Sequence, residues 1–138
     1  MSRLAAYAGA LALGLVLHPL PAAADLPVKV YKEGRSFRGS SETVIPVPGE
    51  PENRYLLHSA YKVGGRPWAD MIAVRTNAGG FTYLSRTYDC ARGTVRWLGE
   101  GRELGKLSLA VTSVAQTAPR ALRPGTTEYA LAAYVCGL

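Results

Sequence analysis

Short glycine-containing segments divide the chain after residue 53 into strand-like runs. These segments are residues 64–65, 77–80, 91–93 and 99–101. Between them, apolar and polar residues alternate with a period of two, which is typical of a strand with one buried face. Because tight turns join antiparallel neighbours, this pattern predicts an antiparallel meander.

The predicted strands are residues 28–30, a brief pairing at 43–45, and then 54–63, 68–76, 81–90, 94–98 and 104–114. Residues 33–42 and 46–53 are rich in Gly, Ser, Pro and charge, and they are predicted to be loops. In the third of these strands the alternation assigns Arg54, His58 and Lys62 to the face opposite Tyr55 and Leu57.

The C-terminal segment changes from strand-like to helical periodicity. Residues 127–136 contain several good helix formers, Thr126 suits an N-cap, and Glu128 complements the helix dipole in the first turn. A strand is the alternative for this segment. The predicted buried side holds Tyr129, Ala132, Val135 and Cys136, with Leu131 at its margin, whereas Ala130 and Tyr134 point the other way. The expected fold is therefore α+β: an antiparallel sheet of five to six strands with a C-terminal helix packed on it.

The N-terminus has the pattern of an export signal. Arg3 supplies a positive start, residues 4–17 form an apolar run of fourteen, and small residues precede a cleavage site between Ala24 and Asp25. Fourteen residues are short for a bilayer span, which needs about 20, so an uncleaved anchor is the less favoured alternative. We expect a signal peptide at 1–24, a single domain at 25–138, and no stable membrane span after cleavage.

Two cysteines, Cys90 and Cys136, remain after the signal. An even cysteine count in an exported chain favours a disulfide, which would tie the predicted helix to a strand. Closing this loop is worth about 4 kcal/mol on the chain-entropy model. Two free thiols or a metal pair are the alternatives, but His58 is the one histidine after the signal, so metal ligands are scarce.

Catalytic and cofactor motifs are weak. His58 shares its predicted strand face with Arg54 and Lys62, cations that give a catalytic base no partner. Gly79-Gly80 is predicted to be a hairpin turn rather than a phosphate-binding loop, because no helix start follows it. A chain of 138 residues has room for one core, which excludes a multidomain enzyme. We therefore predict no catalytic residues, no metal and no cofactor.

Arginine provides the functional signal. The net charge is +6, and +5 once Arg3 is removed with the signal. Arg92, Arg96 and Trp97 lie close together in sequence, and arginine beside an aromatic side chain is the composition of binding hot spots. A merely solvated basic surface is the alternative. We expect a protein or an acidic envelope or matrix component as the partner rather than nucleic acid, with Tyr134 on a second candidate face.

A charge is also expected inside the fold. Arg86 shares a strand face with Leu84 and Tyr88, the face that the helix should cover. Since a buried charge is costly unless paired, we expect Glu128 to meet it, or a bulge to turn it outward.

Several residues together carry a family resemblance. Tyr88-Asp89-Cys90 ends a strand, Pro124-Gly125-Thr126 opens the helix, and Cys136 ends it. This pattern, over residues 81–136, resembles the surface-adhesin protein E-like domain family of small exported proteobacterial proteins. Thr126 stands where that family usually has serine, and Leu122 where it commonly has tryptophan.

The resemblance implies a single antiparallel sheet with a C-terminal helix tied to it by the disulfide, and a binding role in the periplasm or at the cell surface; it also allows a homodimer. The expected function is an exported, non-catalytic binding module of the envelope, adhesin-like, that recognises a macromolecular partner. The alternative is a periplasmic accessory or inhibitor protein that caps an enzyme or larger complex with its 35–53 loops.

Overall fold

The computed structural model describes residues 25–107 and 118–138, which form one antiparallel sheet and one α-helix. The strands are β1 (Arg35–Arg38), β2 (Val44–Ile45), β3 (Arg54–Lys62), β4 (Trp68–Asn77), β5 (Gly80–Asp89), β6 (Thr94–Gly101) and β7 (Arg120–Ala121), and the helix is α1 (Thr127–Cys136). A short 3-10 helix occupies Leu104–Lys106. The spatial order is β1-β3-β4-β5-β6-β7, and β2 also pairs with β3. The predicted α+β class is confirmed.

The C-terminal helix begins and ends where the sequence predicts. The side-chain oxygen of Thr126 accepts a hydrogen bond from the backbone N–H of Tyr129 at 3.2 Å, which is the expected N-cap. Leu131 is fully buried with Ala132 and Val135, rather than marginal. Tyr134 is half-buried and packs against the core, so the helix side that carries it is not a free surface.

The disulfide joins Cys90 after the end of β5 to Cys136 at the end of α1. The two Cα atoms are 5.8 Å apart, and both residues are almost wholly buried. The predicted pairing is confirmed, and no free cysteine remains in the described residues.

The helix packs on one side of the sheet, which we call the covered face; the other side is the open face. Because side chains alternate along a strand, the register assigns every second residue to each face. The covered face holds most of the hydrophobic core, including Leu57, Ala60, Ala69, Met71, Ala73, Leu84, Tyr88 and Val95.

A β-bulge at His58 reverses the alternation within β3. Leu57 pairs with Ala73 but Ser59 pairs with Ile72, so His58 is the extra residue. After the bulge, Ala60 and Lys62 take the covered face, and Tyr61 is 44% exposed. The predicted grouping of Arg54, His58 and Lys62 on one solvated face is therefore wrong, because one inserted residue exchanges the two faces beyond it.

Five segments differ from the predicted elements, mostly at the sheet edges. Residues 28–30 are not a strand, whereas β1 lies inside the predicted 33–42 loop and pairs with β3. This edge strand needs only backbone pairing and one half-buried side chain, Phe37, so its hydrophobic pattern is weak. Residues 99–101 continue β6 instead of turning.

The predicted strand at 104–114 starts as the 3-10 helix, and its part from residue 108 lies outside the described residues, as does the predicted signal peptide. The two-residue strand β7, which was not predicted, pairs with Thr94 and Val95.

Candidate functional site

The open face carries a groove of about 700 Å³ at the end of the sheet where β4 begins and β5 ends. Trp68 from β4, Arg96 from β6 and Arg92 from the β5–β6 turn contribute its large side chains. The register explains why distant parts of the sequence meet: Trp68 pairs with Asp89, and Asp89 pairs with Thr94 in the next strand. The rest of the lining is Pro67, Asp70, Thr87, Tyr88, Asp89, Ala91, Thr94, Leu98 and Pro119.

Trp68 is exposed but fixed in orientation. Its indole N–H donates to Asp89 Oδ2 at 3.3 Å, and 42% of the residue is accessible. The guanidinium of Arg66 lies 5.3 Å from the indole ring, within the range of a cation–π contact. The indole is thus held in the groove before any ligand arrives.

Asp89 also shapes the turn that presents Arg92. Its Oδ1 accepts hydrogen bonds from the backbone N–H groups of Ala91 and Arg92, at 3.1 and 2.9 Å. Gly93 completes the turn with φ 68°, a conformation that glycine adopts at little cost. One carboxylate therefore positions both the tryptophan and the arginine-bearing turn.

The two arginines of the groove are largely uncommitted. The Arg92 side chain is 84% exposed, and its Nε lies 4.0 Å from Asp89 Oδ2, so this ion pair is loose. Arg96 is exposed and makes no ion pair or hydrogen bond through its side chain within residues 25–107 and 118–138. Both guanidinium groups keep their donors available to a ligand.

Trp97 does not join these arginines. Neighbouring residues of a strand project to opposite faces, so Trp97 lies on the covered side while Arg96 faces the groove. The guanidinium carbons of Arg86 and Arg120 lie 4.0 and 5.4 Å from its ring centroid. The predicted cluster of Arg92, Arg96 and Trp97 is therefore split, although Trp97 itself stays 39% exposed.

Trp68 replaces Trp97 as the aromatic residue of the site, and sequence reasoning missed it. A usable signal was present: Ala69, Met71 and Ala73 follow with a period of two, which assigns the preceding Trp68 to the opposite face.

The covered face contains a paired buried charge, as predicted. Arg86 donates through Nε to Glu128 Oε2 at 2.9 Å and forms a second ion pair with Glu100. Tyr88 donates its hydroxyl to Glu128 Oε1 at 2.9 Å. Burial opposes the charge on Arg86, but its interactions with Glu128, Glu100 and Tyr88 together outweigh burial, and the pKa of Arg86 is raised. Burial, followed by the charge of Glu128, raises the pKa of Tyr88 well above its ordinary value.

Lys62 is the second buried cation. Its Nζ donates to the carbonyl oxygens of Cys136 at 2.7 Å and Val135 at 3.4 Å, which lie in the last turn of α1. Burial, with a smaller contribution from Lys29, lowers the pKa of Lys62. This lysine therefore caps the C-terminus of the helix on the covered face.

His58 makes modest contacts on the open face. Its Nδ1 lies 3.2 Å from Ser59 Oγ, and its ring meets the Tyr83 ring edge-on at 5.7 Å. A nucleophile–base pair normally has a third group that orients the base, and His58 has no carboxylate partner in the described part of the chain. Nor do the described residues contain a group of three His, Cys, Asp or Glu side chains arranged to hold a metal ion.

Comparisons with protein-family models, with curated proteins and with solved structures find no match to this chain. Among the described residues, no helix has the length and apolar character needed to cross a membrane.

Proposed function

We propose that this protein is an exported, non-catalytic binding module of the bacterial envelope, adhesin-like in character, that recognises a macromolecular partner through the open-face groove. One observation carries the proposal: a fixed, exposed indole and two uncommitted guanidinium groups line the same groove. The resemblance to surface-adhesin protein E-like domains supports the same class of function.

The chemistry of the groove favours recognition. Arginine and tryptophan dominate binding hot spots because they combine apolar area with directional donors. Arginine binds carboxylate, sulfate and phosphate groups in a two-pronged geometry that lysine does not match. Since Asp89 already holds Trp68 and the backbone of the Arg92 turn, the side-chain ordering that opposes binding is confined to the two arginines.

The alternative function is a periplasmic accessory or inhibitor protein that inserts a loop into a larger complex. The loop between β2 and β3 favours this alternative function because it is largely exposed but held in place by hydrogen bonds. Glu50 Oε1 accepts hydrogen bonds from Asn53 at 2.7 Å and from the Tyr55 hydroxyl at 3.0 Å. Protease treatment of intact cells separates the two functions: it should remove a surface binding module and spare a periplasmic accessory protein.

Charge reversal tests the groove directly. The double variant Arg92→Glu/Arg96→Glu should bind an immobilised envelope or matrix preparation at least ~10-fold more weakly, because charge-assisted hydrogen bonds are worth about 1.5–3 kcal/mol each. The matched control is Arg54→Glu/Arg123→Glu, which changes net charge equally at exposed positions outside the groove. Equal losses in both double variants would indicate non-specific electrostatics and overturn the proposal.

A further inference from the structure

We infer that the groove binds a stretch of an unesterified uronic-acid polysaccharide, a sugar polymer with free carboxylate groups. The polymer would lie across the strands of the open face. This inference rests on the proposed function and specifies its ligand. It depends on the length of the surface, its hydroxyl content, its aromatic side chains and its charge.

The groove continues across the sheet. A second groove of about 370 Å³ adjoins the first, and both are lined by Asp70 and Leu98. Together they extend from Arg38 on β1 to Arg96 on β6, which spans five strands. Four interstrand spacings of about 4.8 Å amount to about 19 Å, a length that suits several linked units rather than one small molecule.

The lining is rich in hydroxyl groups. Ser36 and Ser59 contribute to the second groove, and Thr87 and Thr94 to the first. Ser85 also lines the second groove; it is 2% exposed, and its hydroxyl makes no hydrogen bond in the described residues. A hydroxyl both donates and accepts, so this surface complements a ligand that presents many hydroxyls of its own.

Two exposed aromatic residues lie along the surface. Trp68 lines the first groove, and Tyr61 lines the second with 44% of its area accessible. The face of an aromatic ring is both apolar and electron-rich. Such a face suits the C–H side of a sugar ring, while the ring's hydroxyls reach the neighbouring serines and threonines.

The charges select a weakly anionic polymer. Arg38, Arg92 and Arg96 line the two grooves, but Asp70 lies where the grooves meet. Asp70 Oδ1 accepts from Thr87 Oγ1 at 2.7 Å, which leaves Oδ2 for a sugar hydroxyl. A densely sulfated chain would be repelled by this carboxylate, whereas carboxylates spaced along a uronate chain can pair with the arginines.

An acidic peptide fits less well. Extended peptides usually bind by pairing with the exposed backbone of an edge strand. This surface instead crosses five strands from their side-chain face, so it offers no backbone edge along its length.

The test is titration calorimetry of residues 25–138 with a hexamer of galacturonic acid. We expect binding that Trp68→Ala and Arg96→Ala each weaken by ~10-fold or more, consistent with hot-spot losses. The matched controls Phe81→Ala and Arg54→Ala remove an exposed aromatic and an exposed arginine outside both grooves, and they should leave binding unchanged.

Three comparison ligands decide the ligand class: the methyl-esterified hexamer, a heparin hexasaccharide and hexaglutamate. Each should bind at least ~10-fold more weakly than the uronate, because the ester lacks the negative charge, heparin adds the dense sulfate groups that Asp70 repels, and hexaglutamate lacks the sugar rings. Equal binding of any of them, or no binding of the uronate, overturns the inference. If Arg92→Glu/Arg96→Glu weakens envelope binding at least ~10-fold in that case, the proposed function stands with another ligand.

Discussion

The two faces of the sheet use the same residue type in opposite ways. Arg86 on β5 is 1% exposed and is held by Glu128, Glu100 and the Trp97 ring. Arg96, on the adjacent strand, points to the open face and has no side-chain partner in the described residues. The helix makes this difference: a charge beneath it must be paired for the protein to fold, whereas a charge away from it is free to bind.

Other polar groups also differ in role between the covered face and the open face. Lys62 and Tyr88 on the covered face donate to helix acceptors, the Cys136 carbonyl and the Glu128 carboxylate. On the open face, Asp89 uses its hydrogen bonds to fix Trp68 and the Arg92 turn. Covered-face contacts therefore contribute to stability, and open-face contacts contribute to the shape of the groove.

The largest effect on the covered face should come from the disulfide. Cys136→Ala releases the end of the helix from β5, and a closed loop of 46 residues is worth about 4 kcal/mol on the chain-entropy model. Chemical denaturation of residues 25–138 should show a loss of this size. A loss below about 1 kcal/mol would mean that Lys62 and core packing hold the helix without the covalent bond.

The direct comparison of faces is Arg86→Ala against Arg96→Ala. Arg86→Ala should lower the free energy of unfolding by about 3 kcal/mol, because it leaves Glu128 and Glu100 close together without their shared cation. Arg96→Ala should change it by less than about 0.5 kcal/mol. Should Arg86→Ala fail to fold, Glu128→Gln is the milder variant and should still be less stable than Arg96→Ala. Similar stabilities for the two arginine variants would contradict the assigned division between the faces.

The smallest effect concerns alkaline pH. The folded-state pKa of Tyr88 is raised above 10.0, so the unfolded chain releases this proton first, and the free energy of unfolding falls as pH rises past 10. Tyr88→Phe should lower the free energy of unfolding by about 1 kcal/mol at neutral pH and make its decline above pH 10 shallower.

Lys62 acts in the opposite sense. Its pKa is lowered, so the unfolded chain holds this proton more tightly, and stability rises with pH as 10.5 is approached. The unsubstituted protein and the Tyr88→Phe variant both retain Lys62. The difference between their free energies of unfolding as a function of pH therefore isolates the contribution of Tyr88. Parallel profiles above pH 10 would show that Tyr88 is not the group responsible.

Local signals predicted much of the covered face. The N-cap at Thr126, the charge at Glu128 and the helix span depend on neighbours within a few residues, so the sequence displays them. The pairing of Arg86 with Glu128 was also predictable, because a cation on a covered strand face needs an acid, and the helix start offers one.

The sequence by itself determined the antiparallel meander, the C-terminal helix and the disulfide, because turn residues, periodicity and two cysteines record them locally. Only the tertiary structure decided which side chains of different strands meet on one face. The bulge at His58 exchanges Tyr61 and Lys62, and the register of β4, β5 and β6 brings Trp68 into the groove with Arg92 and Arg96. The physical reason is that the face of a residue depends on the register with the next strand, which one inserted residue reverses.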